Sequence, residues 1–301
     1  MSHEVTCAGL PASWINAWLA AVGATVLDSR IRLHWSVAGK TVAILSAVNM
    51  SPIDALVQSW PTKDFLADLP TAEYWRGDGP VQRKVSVEDF SQRTRLARGH
   101  PYSWTLSSTM TDLCVDKNGD VEHAPFDPAG PGSIKWLHHR LLTLQTCFEI
   151  SEKRIQDSFM GIAPRVSKNG LGFDGTRLGS SADSTKPFTD PIIETLAFFG
   201  LKLFPVRGSG IDQRYDRSTH TGKRQRGWQA SSRNPKILQF HWPAWSQPLD
   251  INGIDALMDK WNPTSRRSTW EKFGIHQGWK SVKFSPTSLA DTTRAYGSEQ
   301  L

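Results

Sequence analysis

The chain of 301 residues holds only three cysteines, Cys7, Cys114 and Cys147, an odd number with no Cys-x-x-Cys pair. That usage excludes a disulfide framework and a thiolate zinc site, and it predicts a reducing, cytoplasmic setting. Long apolar runs are also missing. The most apolar N-terminal stretch, Leu10 to Leu27, contains Ser13, Asn16 and Gly23 and has no basic flank before it. It reads as a packed helix and as neither a membrane span nor a signal peptide, so no membrane partner is expected. Catalytic signatures are lacking too. The sequence has no G-x-S-x-G elbow, no G-x-x-x-x-G-K-[ST] loop, no H-E-x-x-H, no His-Asp dipeptide and no D/E-x-K triplet. Hydrolase, phosphate-loop and metal-nuclease chemistry therefore have no sequence support, and no cofactor is expected. Tyrosine is scarce, four residues against thirteen tryptophans. Indole needs either a core or a flat partner to cover it.

What is present is charge, and it is concentrated. Hydrophobic residues make up 39% and charged residues 21% of a chain long enough for one large domain or two small ones. The net charge is +6, yet Lys202 to Lys236 carries nine Lys/Arg against Asp212 and Asp216, a balance of +7 that leaves about −1 for everything else. Such a concentrated excess is the electrostatic footprint of phosphate-backbone contact. A solvated charged loop would interleave more acids.

Two stretches of the chain resemble each other. SPIDALVQSW at 51 to 60 and NGIDALMDKW at 252 to 261 share Ile-Asp-Ala-Leu and a later Trp. Each reads as a helix, capped by Ser51 with Pro52 following in the first case and by Asp250 in the second. Upstream lie WLAAVG at 18 to 23 and TLAFFG at 195 to 200, apolar helices running up to a glycine, the second opened by Asp190-Pro191. Between them fall strand-like runs, IRLHWSV and TVAILSAV in one half and GWQAS and KILQFHW in the other. Both halves read helix, Gly, hairpin, helix, as in a degenerate duplication. From glycine to Ile-Asp-Ala-Leu is 30 residues in the first half and 54 in the second, and the surplus of 24 falls in the basic segment. The charge thus sits on an insertion, too poor in apolar residues to be buried scaffold.

Between the halves, WTLSSTMTDLCVDKNGDVEHAPF places Asn118-Gly119 between strand-like runs, the signal of a tight hairpin. Asp116, Asn118 and Asp120 imitate the start of a calcium loop, but Val121 stands where Gly is required and Asp127 where Glu is, so calcium is not expected. Ile134, Leu137, Leu141, Leu144, Phe148 and Ile155 recur at steps of three, four and seven. They predict one amphipathic helix over 133–160. It carries His138-His139, adjacent residues that diverge by about 100° on a helix and so cannot share a metal, although one of them would suit a metal-independent general base. GIAPRVSKNGLGFDGTRLGSSADSTKPFTDP reads as a linker. The expected fold is α+β: a half over 1–160, a linker over 161–189 and a half over 190–301, each a helix–hairpin–helix unit on a small antiparallel sheet, bridged by the long helix.

The proline-led helix ending Leu-Ala-Phe-Phe-Gly, then LKLFPVRG, Arg-Gly-Trp, an F-x-W-P-x-W-x-x-P-L run and a helix near Ile-Asp-Ala-Leu resembles CRISPR-associated subunits of type I effector complexes, those of the I-G (formerly I-U) systems above all. The likeness covers residues 190 to 261, with PFDPAGPGSIKWLHH in support. It implies a large-subunit-like or accessory component of a crRNA-guided DNA surveillance complex, with crRNA, target DNA and other effector subunits as partners and cleavage left to a recruited helicase-nuclease. In such complexes base pairing reads sequence while protein supplies backbone charge and duplex contacts. Arg207, Arg214, Arg217, Lys223, Arg224, Arg226, Arg233 and Lys236 are the expected backbone contacts, and Trp228, next to Arg226-Gly227, is the expected stacking side chain. Trp242 and Trp245 flank Pro243 just before a helix and read as core. Two other classes fit the same residues: a metal-independent RNA endonuclease using His138 or His139, and a protein-interaction module whose basic loop meets an acidic partner.

Overall fold

The computed structural model describes residues 2–62, 86–104, 110–115, 121–123, 144–167, 188–208, 223–230, 238–284 and 295–301. It is a mixed α+β fold with small antiparallel sheets. The chain begins with β1 (Ser2–Pro11), α1 (Ile15–Leu27), the hairpin β2 (Ile31–Trp35) and β3 (Val42–Val48), and α2 (Pro52–Ser59). There follow α3 (Val87–Leu96), the pair β4 (Met110–Val115) and β5 (Val121–His123), and α4 (Glu152–Met160). Then come α5 (Pro191–Gly200), the ribbon β6 (Val206–Gly208) and β7 (Lys223–Gln225), β8 (Trp228–Ala230) and β9 (Leu238–Trp245). The chain closes with α6 (Ile251–Lys260), α7 (Arg267–Glu271), β10 (Ile275–Phe284) and β11 (Ala295–Gln300).

The first sheet has the order β1-β3-β2. Its register stacks Cys7, Ala43 and Trp35 in one rung and Val5, Leu45 and Leu33 in another. Side chains alternate faces along a strand, so these rungs turn to the core while Thr6 and Arg32 face out. The second sheet has the order β11-β10-β9-β8, and its strand β9 is buried from Phe240 to Trp245. Three indoles tie the N-terminal region to β9. Trp18 Nε1 donates to the Pro243 carbonyl at 2.8 Å, Trp242 Nε1 to Ala12 at 2.6 Å and Trp245 Nε1 to Leu33 at 2.9 Å. Leu33 and Leu249 also exchange backbone hydrogen bonds at 2.8 and 3.0 Å. One hydrophobic cluster runs through both regions, from Cys7 to Trp279. All three indoles are fully buried, which satisfies both their apolar area and their single donor.

Helices α1 and α5 cross at their glycines. A Cβ on Gly23 would collide with the Leu196 carbonyl, and one on Gly200 with the Leu19 carbonyl. Gly23 therefore does not end its helix, contrary to the sequence reading: α1 continues to Leu27, and the glycine admits the backbone of α5 into the space a side chain would fill. The expected caps form. Ser51 accepts from the Ile53 amide, Asp190 from Ile192 and Asp250 from Gly253.

The single helix expected over 133–160 is not formed. Residues 148–150 have no regular structure, and Ser151, in extended conformation (φ −157°), accepts from the Arg154 amide and starts α4 afresh. A residue with a side-chain acceptor at an N-cap stabilises a helix start by about 1 kcal/mol, which favours a new helix over a continuous one. Ile134, Leu137, His138, His139 and Leu141 lie outside the described residues. The hairpin expected around Asn118-Gly119 is present, with Val115 opposite Val121, and its turn lies outside them. The two ends of the expected linker meet, since Val166 and Thr189 exchange backbone hydrogen bonds at 2.9 and 3.0 Å.

Candidate nucleic-acid interface

The basic segment leaves the core after α5 and returns as a two-stranded antiparallel ribbon. Its register is Val206 to Gln225, Arg207 to Arg224 and Gly208 to Lys223. The segment thus leaves and re-enters on a ladder, and its register sets two arginines at directly opposed positions. Arg214, Arg217, Arg233 and Lys236 lie outside the described residues.

From β7 to β8 the chain changes sheets within two residues, Arg226 and Gly227. Gly227 has φ +79° and its space is filled by the Phe240 ring, so only glycine fits there. Its carbonyl accepts from the His241 amide at 2.8 Å, which holds the corner against β9. Trp228 follows on β8, paired with Phe240 across the ladder. Its indole is half-buried and tilted over the Phe240 ring, with centroids 5.6 Å apart. Phe240 in turn stacks on Trp242 at 5.6 Å. Trp228 is thus the outermost ring of an aromatic column rooted in the core, a more rigid placement than a side chain on a flexible loop.

Arg226 differs from the sequence expectation. Its guanidinium spans Asp255 Oδ1 at 2.6 Å and Asp259 Oδ1 at 2.9 Å, both on α6, and only 12% of the side chain is exposed. It is committed to two carboxylates and is not a free cation.

A second polar cluster, unseen in the sequence, lies where β1, α1, α4 and α5 converge. A cavity of about 30 Å³ is lined by Gly9, Trp14, Asn16, Ser158, Arg165 and Asp190, room for water and not for an organic substrate. Burial raises the Asp190 carboxyl above its ordinary value, against the opposing pull of Ser158, the Arg154 charge and backbone amides. Arg154 lies 3.6 Å from it. Glu194 is buried and accepts from Asn16 Nδ2 at 3.4 Å. Apart from Asp190, expected as a helix cap, nothing in the sequence marked this cluster, because Asn16 and Glu194 meet across 178 positions. Among the described residues no three His, Cys, Asp or Glu are grouped to hold a metal ion, and no helix is long and apolar enough to cross a membrane. The chain was also compared with known proteins: no family model, no curated protein and no solved structure matches it.

Proposed function

We propose that this chain is a non-catalytic, nucleic-acid-binding subunit of a crRNA-guided DNA surveillance complex, contacting flanking duplex or R-loop strands through its basic ribbon. The observation that carries the reading is the ribbon itself. The basic excess of the sequence is concentrated between Lys202 and Lys236, and five of its nine cations fall in the stretch that leaves and re-enters the fold on a ladder with Arg207 opposite Arg224. Phosphate contacts position a protein on a nucleic acid, and they need cations on a rigid base. The sequence likeness to type I effector subunits adds the class of complex. Trp228, at the end of a packed aromatic column, supplies a flat surface for an unpaired base.

The proposal extends to the architecture. The reciprocal contact of α1 and α5, Gly23 on Leu196 and Gly200 on Leu19, matches equivalent positions of WLAAVG and TLAFFG. Exchange of equivalent contacts is the signature of a two-fold relation, here between two halves of one chain. On this reading a duplicated helix–hairpin–helix unit forms a shared core, and the second copy gained a nucleic-acid-binding insertion.

Copurification tests the function. The tagged chain expressed with the other effector subunits should bring down a guide RNA of uniform length, and recovery of heterogeneous RNA or none would refute the proposal. A purified chain that cleaves repeat RNA, with cleavage abolished by His138→Ala or His139→Ala, would establish the endonuclease class instead.

A further inference from the structure

Five of the expected phosphate contacts lie on the ribbon strands or beyond them toward the insertion's interior, but Arg226 stands at its root, and the geometry there points to a different task. We infer that Arg226 is a positioning residue: it acts through Asp255 and Asp259 to fix the direction in which the basic ribbon leaves the core, and it does not itself contact phosphate. This rests on the nucleic-acid-binding reading above.

Three observations carry the inference. Arg226 and Gly227 form the whole connection between β7 in the ribbon and β8 in the core sheet, so their backbone torsions set the ribbon's angle at this root, while its other strand enters through Phe204-Pro205 and both strands lie beside β4. Gly227 is immobilised on one side by the Phe240 ring and by the hydrogen bond from the His241 amide. Arg226 is immobilised on the other by α6, a helix seated in the core through Ile254, Leu257 and Met258. The acids fit this task. Asp255 and Asp259 stand four residues apart on one helix face, an arrangement that destabilises a helix by like-charge repulsion unless a cation bridges it. The planar guanidinium meets both at once, which an ammonium held at a single point does not. With both terminal nitrogens so engaged and 12% of the side chain exposed, Arg226 presents little surface to a phosphate.

The double variant Asp255→Asn/Asp259→Asn separates the two roles because they predict opposite signs. It adds two net positive charges and releases Arg226. If Arg226 were a phosphate contact restrained by acids, binding to a fluorescent single-stranded or forked DNA would tighten. As a positioning residue, Arg226 loses its anchor and the ribbon its direction, so binding should weaken about tenfold at about 0.1 M salt, the scale of one or two phosphate contacts, and the salt slope should flatten. A charge exchange guards against a folding artefact. Arg226→Asp alone should bind weakly, and Arg226→Asp with Asp255→Arg, which restores the net charge and the attraction, should recover most of the affinity. Tighter or unchanged binding by the Asn variant, or an exchange no better than Arg226→Asp, overturns the positioning role while leaving the ribbon as the binding element. Failure of the unaltered chain to bind either DNA overturns the proposed function, and the positioning role with it.

Discussion

Trp242 and Trp245 sit at the centre of the molecule, each with no exposed surface and its indole nitrogen bonded to a carbonyl of the N-terminal region. Their burial was legible in the sequence, because indoles flanking a proline before a capped helix have little choice but to pack. Trp228 was less so. The sequence reading set it apart from that packed pair, whereas it is half-buried against the core cluster through Phe240, a contact that depends on the pairing of β8 with β9. For Arg226 the sequence shows the charge and hides its commitment, since the acidic partners lie 29 and 33 positions downstream, beyond any local pattern. The contrast gives a paired prediction. Trp245→Ala should lose about 3 to 5 kcal/mol of stability in chemical denaturation, as truncation of a buried Trp does. Trp228→Ala should lose about 1 to 3 kcal/mol of affinity for single-stranded DNA, with a smaller loss of stability than Trp245→Ala. A larger folding defect at 228 than at 245 would reverse the assignment.

Among the elements, the α1–α5 pair shows what propensity cannot. Glycine within a helix costs about 1 kcal/mol relative to alanine. At Gly23 that cost is offset by the approach of the Leu196 carbonyl, which leaves no room for a methyl group. Gly23→Ala should therefore destabilise the fold, where intrinsic propensity alone predicts the opposite, and denaturant titration reads the sign directly. The elements of the hairpin β2–β3, the capped helices α2, α5 and α6, and the pair β8–β9 were all readable from alternation and caps. The break before α4 was not. Leu144, Phe148 and Ile155 keep helical spacing on both sides of it, so the apolar stripe continues while the backbone does not. Ser151 was the available signal, a cap residue inside an otherwise continuous pattern.

At the scale of the whole molecule, proton binding and salt both report on the account. Burial lowers the ordinary affinity of His34, His241 and His276 for protons, outweighing the smaller opposing contributions at each. Groups depressed in the folded state contribute stability that is complete above their unfolded value of 6.5 and is lost as pH falls below it, where the unfolded chain binds more protons. The melting temperature should accordingly drop as pH falls from about 7.5 to about 5.5, and a flat or rising profile would contradict the burial of these rings. Charge is the more decisive axis, because the proposed function requires the +7 balance of one segment to act on phosphates while the remainder of the chain stays near neutral. The most direct measurement is the salt dependence of DNA affinity for the unaltered chain and for a variant with Arg207, Arg214, Arg217, Lys223 and Arg224 replaced by Ala. Every phosphate that these side chains neutralise contributes about 0.7 to 0.9 to the slope of log K against log salt. The predicted result is therefore a slope flatter by several such increments, with weakened binding to every sequence, and an unchanged slope would contradict the central claim.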